Sequence, residues 1–130
     1  MESMQLVIIE DQEAHFELMK RAITKEFPAA TIHHFPDAGA CLERLGDLNP
    51  DIIIADYLMP GMTGIEFATE WQRRQPDVAV IFISGYSDDA LRIDLGEQGL
   101  LRKPFTKEEL VTAIERRLEE ARSRGVPPPA

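Results

Sequence analysis

The sequence predicts an α/β fold, in which one parallel β-sheet is covered by helices on both faces. Short apolar, mostly β-branched runs alternate along the chain with stretches whose apolar residues recur every three or four positions. The first pattern is typical of strands buried on both faces, and the second is typical of amphipathic helices. Because strands that alternate with helices form parallel sheets, these two patterns together predict the fold class.

Five segments are predicted to be strands, because each is short, apolar and bounded by turn residues. They are Gln5–Ile9, Thr31–Phe35, 52–56, 78–83 and Gly99–Arg102. Four segments with helical periodicity lie between or after them, over 13–27, 37–46, 63–74 and 106–121. The helices over 63–74 and 106–121 each open with a Thr-x-x-Glu capping box, at Thr63 and at Thr106. Pro28 ends the first helix.

The crossover between the fourth and fifth strands is close to the minimum of about 10–12 residues for parallel strands. We therefore expect a shortened or irregular fourth helix near 89–95. The predicted architecture is a flavodoxin-like (βα)5 doubly wound sheet with strand order 2-1-3-4-5. Its ligand crevice opens at the carboxyl ends of strands 1 and 3. We expect one domain over 1–122 and a flexible proline-rich tail or linker over 123–130.

Acidic residues stand where strands 1 and 3 end. Glu10 and Asp11 follow the first strand, and Asp56 closes the third. Three crowded carboxylates repel one another unless one is protonated or a hard divalent cation binds them. Mg²⁺ prefers oxygen ligands and is typically held by one or two carboxylates plus a phosphate. The pattern therefore predicts a magnesium pocket that receives a phosphoryl group.

Two further residues fit this site. Ser84 leaves the fourth strand with a hydroxyl donor, and Lys103 leaves the fifth strand with a compact cation. A carboxylate can be the nucleophile in phosphoryl transfer, and Asp56 is central in the sheet, so we predict that Asp56 is the nucleophile. Singly, Ser84 and Lys103 are also explained as a turn residue and a surface lysine. All five residues at one sheet edge would be an improbable coincidence.

The whole set of motifs resembles the receiver domain of two-component response regulators. The motifs are Glu10-Asp11, Asp56 with Met59-Pro60-Gly61 and Gly64, Ser84-Gly85, and Lys103-Pro104-Phe105. The resemblance implies that Asp56 accepts a phosphoryl group from a histidine kinase or a histidine phosphotransfer protein. It also implies that Asp11, Asp56 and the Leu58 backbone carbonyl hold Mg²⁺, with Glu10 helping through water.

By the same resemblance, Ser84 and Lys103 bind the phosphoryl oxygens, and the Lys103–Pro104 peptide bond is cis. The sequence departs from the family pattern at Leu100, where receivers often carry Tyr or Phe as a conformational switch. The run around Ser84, together with Arg102-Lys103-Pro104-Phe105, is similar to receivers of hybrid histidine kinases. Whether the chain is a stand-alone regulator or part of a longer protein is open at this point.

Composition excludes several classes of partner. The 130 residues include 14 basic and 23 acidic side chains, a formal charge of −9. That charge argues against direct binding to nucleic acid, and no apolar run is long enough to insert into a membrane. We therefore expect a cytoplasmic protein. A weak homodimer is also expected, since a short fourth helix would weaken the dimer face that many receivers of transcription factors use.

Two alternative functions use the same strand ends. An aspartate-nucleophile phosphatase usually carries a second acid two residues after its nucleophile, where this chain has Leu58. A receiver-like interaction module that needs no phosphate often loses the acids, serine and lysine that are intact here. The leading prediction is therefore a signalling phosphoacceptor, whose only catalysis is self-phosphorylation and self-dephosphorylation.

Overall fold

A computed structural model describes residues 4–44, 46–59, 61–75, 78–85 and 99–123 of the chain, and seven strands and four helices lie within them. The strands are β1 (Gln5–Ile9), β2 (Thr31–Phe35), β3 (Ile52–Asp56), β4 (Leu58–Met59), β5 (Met62–Thr63), β6 (Ala79–Ser84) and β7 (Gly99–Arg102). The helices are α1 (Glu13–Glu26), α2 (Ala38–Glu43), α3 (Gly64–Arg74) and α4 (Lys107–Ser123).

Five strands form one parallel sheet in the order β2-β1-β3-β6-β7. This is the predicted flavodoxin-like order, with the two short strands β4 and β5 set apart from it. Ile9 is in register with Ala55, and Asp56 with Ile83, so β1, β3 and β6 end at the same edge of the sheet. The predicted helix near 89–95 and most of the predicted tail lie outside the described residues.

The sheet separates two apolar cores. One contains Val7, Ile53 and Phe82 from the strands, packed against α2 and α3 through Cys41 and Trp71. The second lies on the opposite face, between the sheet and helices α1 and α4. Its fully buried large side chains are Leu6, Ile8, Ile23, Ile52, Ile54, Ile81, Leu110 and Ile114. Burial on both faces is the physical reason that the central strands are apolar at every position rather than at alternate positions.

Helices α3 and α4 begin at the predicted capping boxes. The Thr63 hydroxyl accepts the Glu66 N–H at 3.2 Å, and the Glu66 carboxylate accepts the Thr63 N–H at 2.9 Å. Thr106 and Glu109 make the same reciprocal pair, with both distances 3.0 Å. These bonds satisfy N–H groups that have no partner inside a helix. None of the helices in the described ranges is both long enough and apolar enough to span a lipid bilayer.

Helix α2 is shorter than the predicted 37–46. Asp37 precedes the helix as its N-cap, where its side chain accepts the Ala40 N–H at 2.8 Å. At the other end, the Arg44 N–H bonds to the Cys41 carbonyl, three residues back, at 3.0 Å. The N–H groups of Asp47 and Leu48 then both bond to the Arg44 carbonyl. This tightening of the chain ends the regular helix at Glu43.

The strands β4 and β5 form a small antiparallel ribbon that the sequence analysis did not predict. Leu58 pairs with Thr63, and Met59 with Met62. Gly61 lies in the turn between them with φ of 86°, a conformation that glycine adopts without steric cost. Each strand has only two residues, too few to give a periodic sequence pattern.

Candidate functional site

Three carboxylates meet where β1 and β3 end. Oxygen atoms of Glu10, Asp11 and Asp56 all lie within 4.8 Å of one another. Glu10 is buried, with 2% of its surface exposed, whereas Asp56 is half-buried and Asp11 is exposed. The parallel register of the two strands causes this convergence, because it brings their carboxyl ends to one edge. The cluster therefore has a buried side and a side open to solvent.

Lys103 supplies a positive charge beside the cluster. Its Nζ lies 3.5 Å from Asp56 Oδ1. The Lys103 N–H donates to the Ser84 carbonyl at 2.8 Å, so the ends of β6 and β7 hold the lysine and the serine next to each other. Ser84 is buried, and the Lys103–Pro104 peptide bond is cis, as the resemblance implied.

Hydrogen bonds to two neighbouring segments hold the backbone that follows Asp56. The Tyr57 N–H donates to the Ile83 carbonyl at 2.9 Å, and the Tyr57 carbonyl accepts the Gly64 N–H at 2.8 Å. Leu58 follows directly and pairs with Thr63 in the ribbon. The predicted backbone ligand Leu58 is therefore two residues from Asp56, in a segment held by hydrogen bonds to β6 and to the start of α3.

Burial and neighbouring acids raise the pKa of Glu10 to about 8. Loss of hydration on burial is the largest cause, followed by a hydrogen bond to Asp56 and the negative charge of Asp56. Lys103 acts in the opposite direction. When Glu10 is ionised, its Oε2 has no hydrogen-bond donor among the described residues. A proton on Glu10 would allow that oxygen to donate to the Asp56 carboxylate.

These residues fit a hard divalent cation. All three side chains offer carboxylate oxygens, the ligands that Mg²⁺ prefers. The buried, unpartnered Oε2 of Glu10 is the independent sign of a missing positive partner, because burying an uncompensated carboxylate oxygen is costly. In metal-free protein, the raised pKa of Glu10 reflects that same cost.

Two histidines that contact Glu10 were not among the predicted site residues. His15 Nδ1 lies 2.9 Å from Glu10 Oε1, and His34 Nε2 donates to the Glu10 backbone carbonyl at 2.9 Å. The His34 ring also stacks on Phe16, with ring centroids 3.7 Å apart and planes 6° apart. The sequence could have indicated the contact with His15, because His15 lies in the first turn of a predicted helix that begins just after Glu10 and Asp11.

Leu100 replaces the aromatic residue expected at that position of β7. It is half-buried and in register with Phe82 of β6. The Phe82 ring in turn meets Tyr57 edge to face, at 6.0 Å between centroids and 80° between planes. Aromatic packing beside Asp56 is thus supplied by Tyr57 and Phe82.

Comparison with known proteins finds one family over most of the chain. The response regulator receiver domain matches residues 6–115. The response regulator receiver protein CpdR of Brucella abortus (strain 2308) is 33% identical over 105 residues, which cover 77% of this chain and 88% of that protein. The sensor kinase CckA of the same organism is 31% identical over 120 residues, covering 88% of this chain.

The chain spans only part of several relatives. It corresponds to 12% of the length of CckA and to about a quarter of several transcriptional regulators that it also matches. Among solved structures, a CheY-like response regulator receiver domain protein from Methanospirillum hungatei JF-1 superimposes with a TM-score of 0.81. The match covers 95% of this chain and 99% of that one at 20% identity, so it supports the fold alone.

Proposed function

This chain belongs to the response regulator receiver family, and we propose that it is a phosphorelay phosphoacceptor that carries the phosphoryl group on Asp56. The observation that carries this proposal is the contact set of Asp56. Its carboxylate lies within 4.8 Å of the Glu10 and Asp11 carboxylates and 3.5 Å from the Lys103 ammonium. A nucleophilic carboxylate needs such neighbours to neutralise the charge that an incoming phosphoryl group brings.

In the proposed transfer, an Asp56 oxygen attacks the phosphorus of a phosphohistidine. A P–O bond forms as the P–N bond breaks, and the electron pair of that bond leaves with the imidazole nitrogen of the donor. The Lys103 ammonium and the Ser84 hydroxyl take phosphoryl oxygens. Their adjacency through the 2.8 Å backbone bond supports this shared role.

Glu10, Asp11, Asp56 and the Leu58 backbone carbonyl are the proposed ligands of Mg²⁺, with Glu10 acting through water. When bound, Mg²⁺ supplies the positive charge that lets carboxylates and phosphoryl oxygens share a small volume. The unpartnered Glu10 Oε2 supports this assignment.

The proposed donor is a histidine kinase or a histidine phosphotransfer protein. A cleft of about 720 Å³ opens beside the acids, between α1 and α4. Its walls are apolar at Met19, Phe105 and Leu110, and Leu18 at its rim is 61% exposed. An apolar cleft next to the nucleophile suits a protein donor that must bring its phosphohistidine to Asp56.

We further propose that phosphorylation shifts the population of two conformations and so signals to a downstream partner. The acyl phosphate is then lost by hydrolysis on the same site, without turnover of another substrate. The net charge of −9 supports protein partners rather than nucleic acid. We expect the protein to act in the cytoplasm, with at most weak self-association.

The test is phosphorylation by acetyl phosphate with and without Mg²⁺, followed by intact mass and peptide mapping. We expect one added phosphoryl group on Asp56, formed only with Mg²⁺ and absent from D56N. D51N is the matched control, because Asp51 precedes β3 at the end opposite to Asp56, where its side chain accepts the Gln5 N–H at 2.8 Å. An unmodified wild-type protein, or equal modification of D56N, would refute the proposal.

A further inference from the structure

Glu10 is restrained at three points. Its N–H donates to the Phe35 carbonyl at 3.0 Å, and its carbonyl accepts from His34 Nε2 at 2.9 Å. The third restraint acts on the side chain, where His15 Nδ1 lies 2.9 Å from Oε1. The first two bonds fix the backbone, so the orientation of the carboxylate depends on its side-chain contacts, of which His15 is the one outside the acid cluster.

The two oxygens of Glu10 have different surroundings. His15 engages Oε1, whereas Oε2 is buried and has no hydrogen-bond partner among the described residues. The Asp11 and Asp56 oxygens lie within 4.8 Å of a Glu10 oxygen. With Oε1 engaged by the imidazole, Oε2 is the Glu10 oxygen that is left to accept a further hydrogen bond.

Divalent cations differ in how they use a carboxylate. Mg²⁺ demands near-octahedral geometry, keeps several waters and takes single oxygens from one or two carboxylates. Ca²⁺ is larger, takes six to eight oxygens and readily binds both oxygens of one carboxylate. A carboxylate with one oxygen already engaged can still accept a hydrogen bond from a water of Mg²⁺ through the other oxygen, but it is poorly suited to binding Ca²⁺ through both.

We propose that His15 is a positioning residue that leaves one Glu10 oxygen available to a water of bound Mg²⁺ and thereby favours Mg²⁺ over Ca²⁺. This inference rests on the proposed function, because it assumes that the acid cluster is the cation site. His15 does not itself touch the cation in this proposal. It acts through Glu10, as hydrogen-bonding partners of metal ligands commonly do.

The test measures the Kd of Mg²⁺ and of Ca²⁺ by calorimetry at one fixed pH, for wild type and three variants. In H15A we expect the Mg²⁺ Kd to rise about ten-fold, the lower end of the range for loss of such a partner. The Ca²⁺ Kd should stay unchanged or fall, so the preference for Mg²⁺ drops by about the same factor. H15N keeps an N–H donor near Nδ1 and should restore most of the preference.

H33A is the matched control, since His33 Nε2 lies 3.1 Å from the Gln5 side-chain oxygen, whereas His15 and His34 are the histidines bonded to Glu10 in the described residues. It should leave the preference unchanged. Because the His15 side chain is 43% exposed, H15A is expected to fold, and thermal unfolding of each variant checks this. The inference is overturned if H15A leaves the Mg²⁺/Ca²⁺ ratio as in wild type, or if H15N fails to restore it.

Failure of the proposed function gives a different result. In that case wild-type protein would bind no Mg²⁺ and acetyl phosphate would not modify Asp56, which would overturn both proposals together. Normal Mg²⁺ binding and phosphorylation of wild type, combined with an unchanged ratio in H15A, would overturn only the role of His15.

Discussion

Substitution of Gly64 by alanine should destabilise the protein through one identifiable contact. Gly64 is the first residue of α3, and its Cα packs against the edge of the Phe82 ring. A Cβ atom there would lie 2.6 Å from Phe82 Cε1, 2.7 Å from Phe82 Cδ1 and 3.1 Å from Tyr57 Cδ2. These distances are far inside the usual carbon–carbon contact of about 3.5–4.0 Å.

The size of the effect follows from how little the ring can move. Phe82 is fully buried in the core beside α3, and Tyr57 packs against it edge to face. Overfilling a packed core typically costs about 1–3 kcal/mol, whereas alanine gains at most about 1 kcal/mol over glycine in a helix. We therefore expect G64A to lower the free energy of unfolding by about 1–2 kcal/mol.

Urea unfolding followed by Trp71 fluorescence measures this change, since Trp71 is fully buried in the same core. G46A is the matched control, because a Cβ on Gly46 meets no atom within 4 Å, and we expect less than about 0.5 kcal/mol there. In an F82L background, the penalty for G64A should shrink by at least about 0.5 kcal/mol. Wild-type stability of G64A, or an undiminished penalty in F82L, would refute the reasoning.

The site, one helix cap and the buried thiol of Cys41 give four further predictions. The Mg²⁺ affinity should rise as the pH increases towards about 8, because the raised pKa of Glu10 keeps a proton on this side chain in the metal-free site. Calorimetry should show this pH dependence in wild type but not in E10Q. Without metal, the stability contributed by neutral Glu10 is complete below its ordinary pKa of 4.5 and is lost as pH rises through about 8, which thermal unfolding of wild type against E10Q checks. T106A should cost about 1 kcal/mol in urea unfolding and T106S much less, because Thr106 caps α4. Cys41 should react with a thiol reagent only on unfolding, because burial raises its pKa to about 12; rapid labelling of native protein would contradict this.

The parts of the fold that sequence could predict are those with a repeated pattern or a local cap. Gln5–Ile9, Thr31–Phe35 and Gly99–Arg102 have the predicted limits, and both capping boxes form as expected. The antiparallel ribbon was missed because two-residue strands have no period. Helix α2 was predicted too long because its end depends on two hydrogen bonds that the Arg44 carbonyl accepts, from the N–H groups of Asp47 and Leu48. Composition does not encode these bonds.

Some properties of the candidate site could also be predicted from the sequence, and others could not. The convergence of Glu10, Asp11 and Asp56 follows from strand ends and parallel order, both readable from sequence. The contact between His15 and Glu10 depends on how α1 leaves the sheet, and the raised pKa of Glu10 depends on its depth of burial. Such properties arise from tertiary packing and have no counterpart in residue spacing.

The two cores on opposite faces of the sheet contain separate sets of side chains. Within the described residues, a change of packing between the sheet and helices α2 and α3 reaches the opposite core through the shared strand backbones. Substitutions on one side should add to those on the other with little epistasis. This division allows one face to diversify during evolution while the opposite face keeps its packing.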